Sequence, residues 1–183
     1  MTKKIGIIIN CVLALIIVSC NTQKYDENIS KAYVSAQICY KSAELIINNT
    51  TEVWRTAIFD DRDSHGNYCS NFSSAIHILF ADYKEMGIFS TIDEYQEELQ
   101  TSVASLSKVP KSRKEAYNDI LKIAIDINML CEMAKNPSGS LQSYRDQTND
   151  LIFSLKKDLE AFNLKYKNFM VPSIIQESHN NSI

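Results

Sequence analysis

Apolar residues recur along most of this chain at the three- and four-residue intervals of an amphipathic helix. The longest series begins at Ile29 and keeps this spacing as far as Ala57. Ile46, Val53 and Ile58 widen the apolar face beyond a two-stranded seam, as a bundle helix requires. The pattern predicts a first helix over residues 27–59. Its stripe consists of Ile29, Tyr33, Ala36, Tyr40, Ala43, Ile47, Thr50, Trp54 and Ala57.

Two shorter helices are predicted next. A second series runs from Phe72 to Met86 and is closed by Gly87. Thr91 and Glu94 then have the spacing of a capping box, which indicates that a third, shorter helix begins at Thr91.

The last two helices are predicted to be long. A fourth series runs from Tyr117 to Ala134, and apolar residues beside its stripe indicate a central position. A fifth series follows the expected N-cap Ser140 and continues to Phe169. Pro172 then terminates this helix.

These patterns predict an all-α protein. Beyond residue 20 the chain has three glycines and three prolines, and the long stretches between them suit helices. Short connections favour antiparallel neighbours, so we predict an up-down antiparallel bundle of about five helices. Helices one, four and five are expected to be long, with helices two and three as a shorter hairpin. The bundle domain would cover residues 27–171, followed by a frayed tail over 172–183.

The first twenty residues have a different pattern. Lys3 and Lys4 precede an apolar run over residues 5–18, which is 14 residues long. A membrane-spanning helix needs about 20 apolar residues, so this run is too short to be one. A basic start, an apolar middle and the small Ser19 before Cys20 are typical of a secretory signal.

Ile17-Val18-Ser19-Cys20 resembles the lipobox of bacterial lipoproteins, in which an aliphatic residue, a tolerant position and a small residue precede a cysteine. The resemblance implies that residues 1–19 are cleaved, that the Cys20 thiol receives a diacylglyceryl group, and that the new amino end is acylated, commonly with palmitate. The alternative is a secreted protein whose signal happens to end near a cysteine. The polar residues 20–26 are interpreted as a flexible tether.

The resemblance also carries an expectation about location. In Gram-negative cells an aspartate after the lipidated cysteine favours retention in the inner membrane. Asn21 occupies that position here. We therefore expect a lipid-anchored protein of the cell envelope, in the outer membrane or at the cell surface if the cell is Gram-negative.

Charge narrows the classes of partner. Beyond residue 19 the chain has 17 basic and 22 acidic residues, a net charge of −5. A nucleic-acid-binding domain presents a basic face, so this balance argues against a nucleic-acid partner.

Three cysteines remain after the lipobox, namely Cys39, Cys69 and Cys131. If helix one ends where helix four starts, Cys39 and Cys131 both lie about 20 residues, roughly 30 Å, from that pole. A Cys39–Cys131 disulfide is then the pairing that the topology favours. Two unlinked buried thiols, which pack as small hydrophobic groups, are the alternative that we expect.

No catalytic or metal-binding pattern is recognisable. The loop from Asp61 begins like a calcium loop, but His65 and Phe72 stand where oxygen ligands belong, so we expect a solvated connector. Di-iron bundles use Glu-x-x-His pairs. None of the three histidines, His65, His77 and His179, follows a glutamate by three residues. Hydrolase, zinc and phosphate-loop signatures are also missing, so we predict no catalytic residues, no metal and no cofactor.

Two further features allow both a structural and a functional interpretation. Aromatic stripes on helices one and five are expected to be core, and the alternative is a groove for a hydrophobic ligand. A basic cluster is expected to be a solvated turn, and the alternative is contact with anionic lipid or polymer. The aromatic residues are Tyr33, Tyr40, Trp54, Tyr144, Phe162, Tyr166 and Phe169, and the basic ones are Lys108, Lys111, Arg113 and Lys114.

The sequence thus predicts a non-enzymatic, lipid-anchored binding or structural module. It would present a face or a polar loop to a protein partner or an envelope component. One alternative is an immunity or phage-exclusion lipoprotein at the cell surface. Another is an enzyme or carrier with its site inside the bundle, for which the sequence offers no residues.

Overall fold

The computed structural model of the protein describes residues 2–168 and 170, with side chains from Thr22 onward. The described residues form helices, turns and one isolated bridge between Arg62 and Tyr68, which confirms the all-α bundle. The helices are α1 (Thr2–Phe59), α2 (Phe72–Glu85), α3 (Ile88–Ala104), α4 (Lys114–Lys135) and α5 (Leu141–Tyr166), with a 3-10 turn at Lys111–Arg113.

The first helix is the centre of the bundle, and each of α2 to α5 packs against it. Every member of the predicted stripe from Ile29 to Ala57 is buried, and so are Ile46 and Val53. Ile58 was expected to widen this face, but it is 48% exposed. α4 packs against α1, α3 and α5. Of the apolar residues beside its stripe, Ile123 and Leu130 are buried and Ile125 is 60% exposed.

The second helix runs back along α1. At its start the ring of Phe72 stacks on Trp54, with ring centroids 5.0 Å apart. Eleven residues later, Asn49 Nδ2 donates a hydrogen bond of 2.6 Å to the hydroxyl of Tyr83. The second helix therefore runs antiparallel to α1.

The third helix continues in the same direction. The Cys39 thiol lies 4.0 Å from the carbonyl oxygen of Ile92, and Ser35 Oγ donates to Glu98 Oε2 at 2.9 Å. α2 and α3 therefore follow one another along α1, both antiparallel to it, with a bend at Gly87. Gly87 has a left-handed φ of 73°. The predicted hairpin of helices two and three is wrong, because α1 is long enough to cover both apolar faces in succession.

The predicted start of the third helix is also wrong. It begins at Ile88, and Thr91 lies inside its first turn. The Thr91 hydroxyl donates to the carbonyl of Gly87, which accounts for a threonine at this position without a capping box. Ser140, by contrast, is the N-cap of α5, and its hydroxyl accepts from the backbone N–H of Ser143.

The last two helices complete a four-helix arrangement, in which α2 and α3 together occupy one of the four positions. Because α3 does not reverse, α4 starts beside residues 22–30 of α1, where Arg113 binds Asp26. α5 then descends, and Tyr33 on α1 donates to the carbonyl of Leu159 at 3.3 Å. We call the end where residues 22–30, the 105–113 connection and the end of α5 meet the proximal pole. The distal pole is the opposite end, where residues 60–71 connect α1 to α2.

The segment expected to be a flexible tether is helical in the structure. Tyr25 is buried, and the Asp26 carboxylate accepts from Arg113 Nε at 2.7 Å and Nη2 at 2.9 Å. A paired, charge-assisted hydrogen bond of this kind fixes the segment against the bundle. At the other end, α5 stops at Tyr166, while Phe169 and the predicted tail over 172–183 lie outside the described residues.

The Asp26–Arg113 pair yields a test of this packing. Replacing Arg113→Met should lower the free energy of unfolding by about 1.5–3 kcal/mol, because it leaves a largely buried carboxylate without its partner. Urea denaturation of the purified protein measures this change. Lys111→Met, in the same turn but exposed, is the matched control and should have little effect. Equal losses in the two variants would contradict the assignment.

Candidate functional site

The loop at the distal pole is ordered around one carboxylate. Asp63 is 7% exposed, and its Oδ1 accepts hydrogen bonds of 2.9 Å from the backbone N–H groups of His65 and Asn67. The backbone N–H of Asp63 in turn donates to the carbonyl of Asn67 at 2.9 Å. Asp63 therefore closes the tip of the loop. The sequence predicted only a solvated connector here.

Further hydrogen bonds fix the two sides of the loop. The N–H of Cys69 donates to the carbonyl of Asp61 at 2.8 Å, and Arg62 Nη1 donates to the carbonyl of Gly66 at 2.7 Å. The His65 ring lies 2.9 Å from a carboxylate oxygen of Asp82 on α2. The loop is thus joined to the bundle as well as to itself.

The environment of Asp63 also sets its protonation. Burial raises the pKa of this carboxyl, but the backbone hydrogen bonds from Asn67 and His65 outweigh that effect and hold the pKa below its ordinary value. The charged carboxylate is therefore the form that the folded loop stabilises.

The loop presents two large aromatic side chains to solvent. Phe59, the last residue of α1, is 72% exposed, and Tyr68 is 80% exposed. Asp60 and Asp61 lie between them in the sequence and are exposed as well. We call these four residues the distal surface. Aromatic side chains on a fixed backbone are typical of the residues that dominate protein interfaces.

Sequence reasoning missed the distal surface. The signal that was available is the position of Phe59, which falls outside the apolar stripe of α1, and the isolation of Tyr68 within a polar run.

The structure brings two of the predicted site residues together. Cys39 and Cys131 are fully buried, and interaction with the Cys131 thiol, followed by burial, raises the pKa of Cys39. Both thiols are free, as is that of Cys69, which donates to the carbonyl of Asn71. Cys39 and Cys131 lie at the same level of the bundle, as expected, but the assumed direction of α4 is wrong. α4 runs parallel to α1 and starts beside residues 22–30 of that helix.

Two pockets lie on the described surface outside the distal loop. One of about 160 Å³ lies between α4 and α5, where Lys122 pairs with Asp158 and Lys165 pairs with Glu115. Another, of about 360 Å³, lies at the bend between α2 and α3. Its lining is His77, Phe80, Ala81, Lys84 and Phe89. Among the described side chains, no group of three or more His, Cys, Asp or Glu residues is placed to hold a metal ion.

The aromatic stripes belong to the core. Tyr33 stacks on Phe162 with centroids 5.3 Å apart, and Trp54 lies 5.8 Å from Tyr144. All the aromatic residues expected there are buried, apart from Phe169, which is outside the described residues. The alternative of a ligand groove along these helices is therefore wrong.

Cys20, the predicted lipidation site, lies outside the residues whose side chains are described. Among the described residues, no helix has the length and hydrophobicity to cross a membrane. Comparison with protein-family models, curated proteins and solved structures found no match for this chain.

The role of Asp63 gives a second test. Asp63→Ala removes the acceptor of two backbone hydrogen bonds, so amide hydrogen exchange at His65 and Asn67 should become at least about tenfold faster. Asp60→Ala, at an exposed carboxylate in the same loop, is the control and should leave both rates unchanged.

The pH dependence of the loop has a defined sign. Since the folded pKa of Asp63 is lowered, its stabilising effect is present above the ordinary value of 3.8 and is lost as the pH falls through the folded pKa. The test uses a His65→Gln variant, which keeps the backbone donor to Asp63 and has no imidazole that could change the signals. Amide NMR signals of its loop should keep their folded positions at pH 5 and lose them below the ordinary value. A loop that changes between pH 7 and pH 5 in this variant would contradict the assignment.

Proposed function

We propose that this chain is a lipid-anchored lipoprotein of the bacterial cell envelope that acts as a non-enzymatic binding or structural module. The distal surface would be the part that contacts its protein partner. The observation that carries this proposal is an ordered loop that exposes Phe59 and Tyr68 at the pole farthest from Cys20.

The position of the anchor supports this arrangement. Acyl chains on Cys20 contribute about 0.8 kcal/mol for each buried methylene group, and two or more chains make membrane attachment stable. α1 is continuous from Cys20 to Phe59, so no flexible segment separates the anchor from the bundle. The helix from Asp26 to Phe59 rises about 50 Å, which would carry the distal surface well clear of the lipid headgroups.

The chemistry of the distal surface indicates the kind of partner. Two exposed aromatic rings favour a protein surface with apolar pockets. The carboxylates of Asp60 and Asp61 beside them favour basic residues at the rim of those pockets. Asn21, where an aspartate would favour retention in the inner membrane, supports a location in the outer membrane or at the cell surface if the host is Gram-negative, where such a partner would meet it.

A photo-crosslinking experiment in the native host tests the proposal. A photoreactive phenylalanine analogue replaces Tyr68 in one variant and Phe153 in another. Phe153 is the matched control, since it is a 74% exposed aromatic residue on the side of α5. We expect a discrete protein adduct from position 68 that is absent from position 153, and Asp63→Ala should weaken it by disordering the loop.

The identity and position of the adduct decide between interpretations. An envelope protein captured at position 68 supports the proposed function, and a phage or toxin component would favour the exclusion alternative. No adduct at position 68, or the same adducts at both positions, would contradict the proposal.

A further inference from the structure

The proximal pole carries a set of lysines that face solvent. The 105–114 segment has four basic residues and no acidic ones, and its lysines are exposed. Two more exposed lysines lie at the same pole, Lys24 on α1 and Lys167 just after the end of α5. None of the five is in an ion pair with a described side chain. These five residues, the basic surface, are Lys24, Lys108, Lys111, Lys114 and Lys167.

Most acidic residues of this pole are in ion pairs. Asp26 is bound by Arg113 at 2.7 Å. Glu115 and Asp119 share Lys165, at 2.5 Å and 3.1 Å, so one of these two negative charges is not neutralised. Glu27 has no cation partner among the described side chains. Two surplus carboxylates therefore stand against the five lysines, and the described residues of the proximal pole carry a net positive charge.

The distal pole is acidic, unlike the proximal pole. The loop over residues 60–71 contains three aspartates against one arginine, and the chain beyond residue 19 is acidic as a whole. Interactions between exposed charges are screened beyond about 8 Å at physiological ionic strength, so the two poles act independently. A net negative protein thus has one basic end, and that end is the one from which Cys20 extends.

We propose that the basic surface docks on anionic lipid headgroups and holds the bundle upright on the membrane. Polybasic segments next to a lipid anchor are attracted to anionic bilayer surfaces, and lysine acts there as a point charge without needing a particular geometry. Leu164, 80% exposed close to the end of α5, adds an apolar side chain at the same pole. The Asp26–Arg113 pair holds the 105–113 connection against α1, so these lysines move with the bundle.

The inference goes beyond the proposed function, although it uses the same lipid anchor for the position of the pole. Its ligand is a lipid headgroup with a net negative charge, such as that of phosphatidylglycerol. The partner at the distal surface plays no part in it.

Trp54 supplies the readout, because it is the one tryptophan of the chain. It lies 32 residues beyond Thr22 on α1, which corresponds to about 48 Å along the helix. Energy transfer from Trp54 to dansyl-labelled lipid is therefore weak when the bundle stands upright and stronger when it tilts towards the bilayer. The full mature protein is placed in vesicles of phosphatidylcholine, or of equal parts phosphatidylcholine and phosphatidylglycerol.

We expect transfer to be at least about twofold lower in the anionic vesicles than in the neutral ones. Salt at 1 M, where the screening length is about 3 Å, should remove the difference. This salt titration needs no variant and therefore cannot be confused with misfolding. Equal transfer in the two kinds of vesicle at low salt would overturn the proposal.

Charge-reversal variants localise the effect. Lys108→Glu, Lys111→Glu and Lys114→Glu combined should raise transfer in anionic vesicles to the level seen in neutral ones. The control combines Lys41→Glu, Lys84→Glu and Lys156→Glu, which make the same change of charge at exposed positions away from the pole. The control should behave like the unmodified protein. If both triple variants have the same effect, net charge rather than the basic surface is responsible, and the proposal is wrong.

Vesicle flotation separates this inference from the anchor. Flotation with neutral vesicles that is lost in Cys20→Ala shows the anchor, and the transfer measurement then decides the orientation. If the protein does not float with neutral vesicles, the anchor has failed. In that case flotation with anionic vesicles alone still supports the basic surface, and flotation with neither kind overturns it.

Discussion

The structure depends on the packing of every other helix against α1. A single amphipathic stripe supplies the central contact for α2 to α5, and fixing both ends of α1 fixes the direction of the whole bundle. At the proximal pole the ion pair of Asp26 with Arg113 joins residues 22–30 of α1 to the start of α4. At the distal pole Asp63 orders the loop that follows α1. The functional proposals follow from these two ends.

The two poles differ in chemistry because different parts of the chain form them. The proximal pole is built from three chain segments that each bring lysines, and most of the acidic neighbours of these lysines are in ion pairs. The distal pole is one loop, in which a buried carboxylate satisfies backbone donors while Phe59 and Tyr68 stay in solvent. A lipid anchor at one end and a protein-binding surface at the other are consistent with this polarity.

Helical periodicity is a local property, so the sequence was sufficient to predict the stripe of α1 and the all-α class. The direction of α3 was not predictable, because the short turn at Gly87 suits either a hairpin or a continuing arm, and burial against α1 decides between them. The Asp26–Arg113 pair joins residues 87 positions apart and leaves no local pattern. The meeting of Cys39 with Cys131 was expected, but from an assumed direction of α4 that the structure reverses.

The central claim is that acyl chains on Cys20 attach α1 to the membrane. Intact mass and detergent partitioning of the protein from its native host test this most directly, beside a Cys20→Ala variant. The account predicts a mass equal to residues 20–183 plus acyl groups, partitioning into the detergent phase, and loss of both in the variant. A soluble protein without acyl groups, indifferent to Cys20→Ala, would contradict the account.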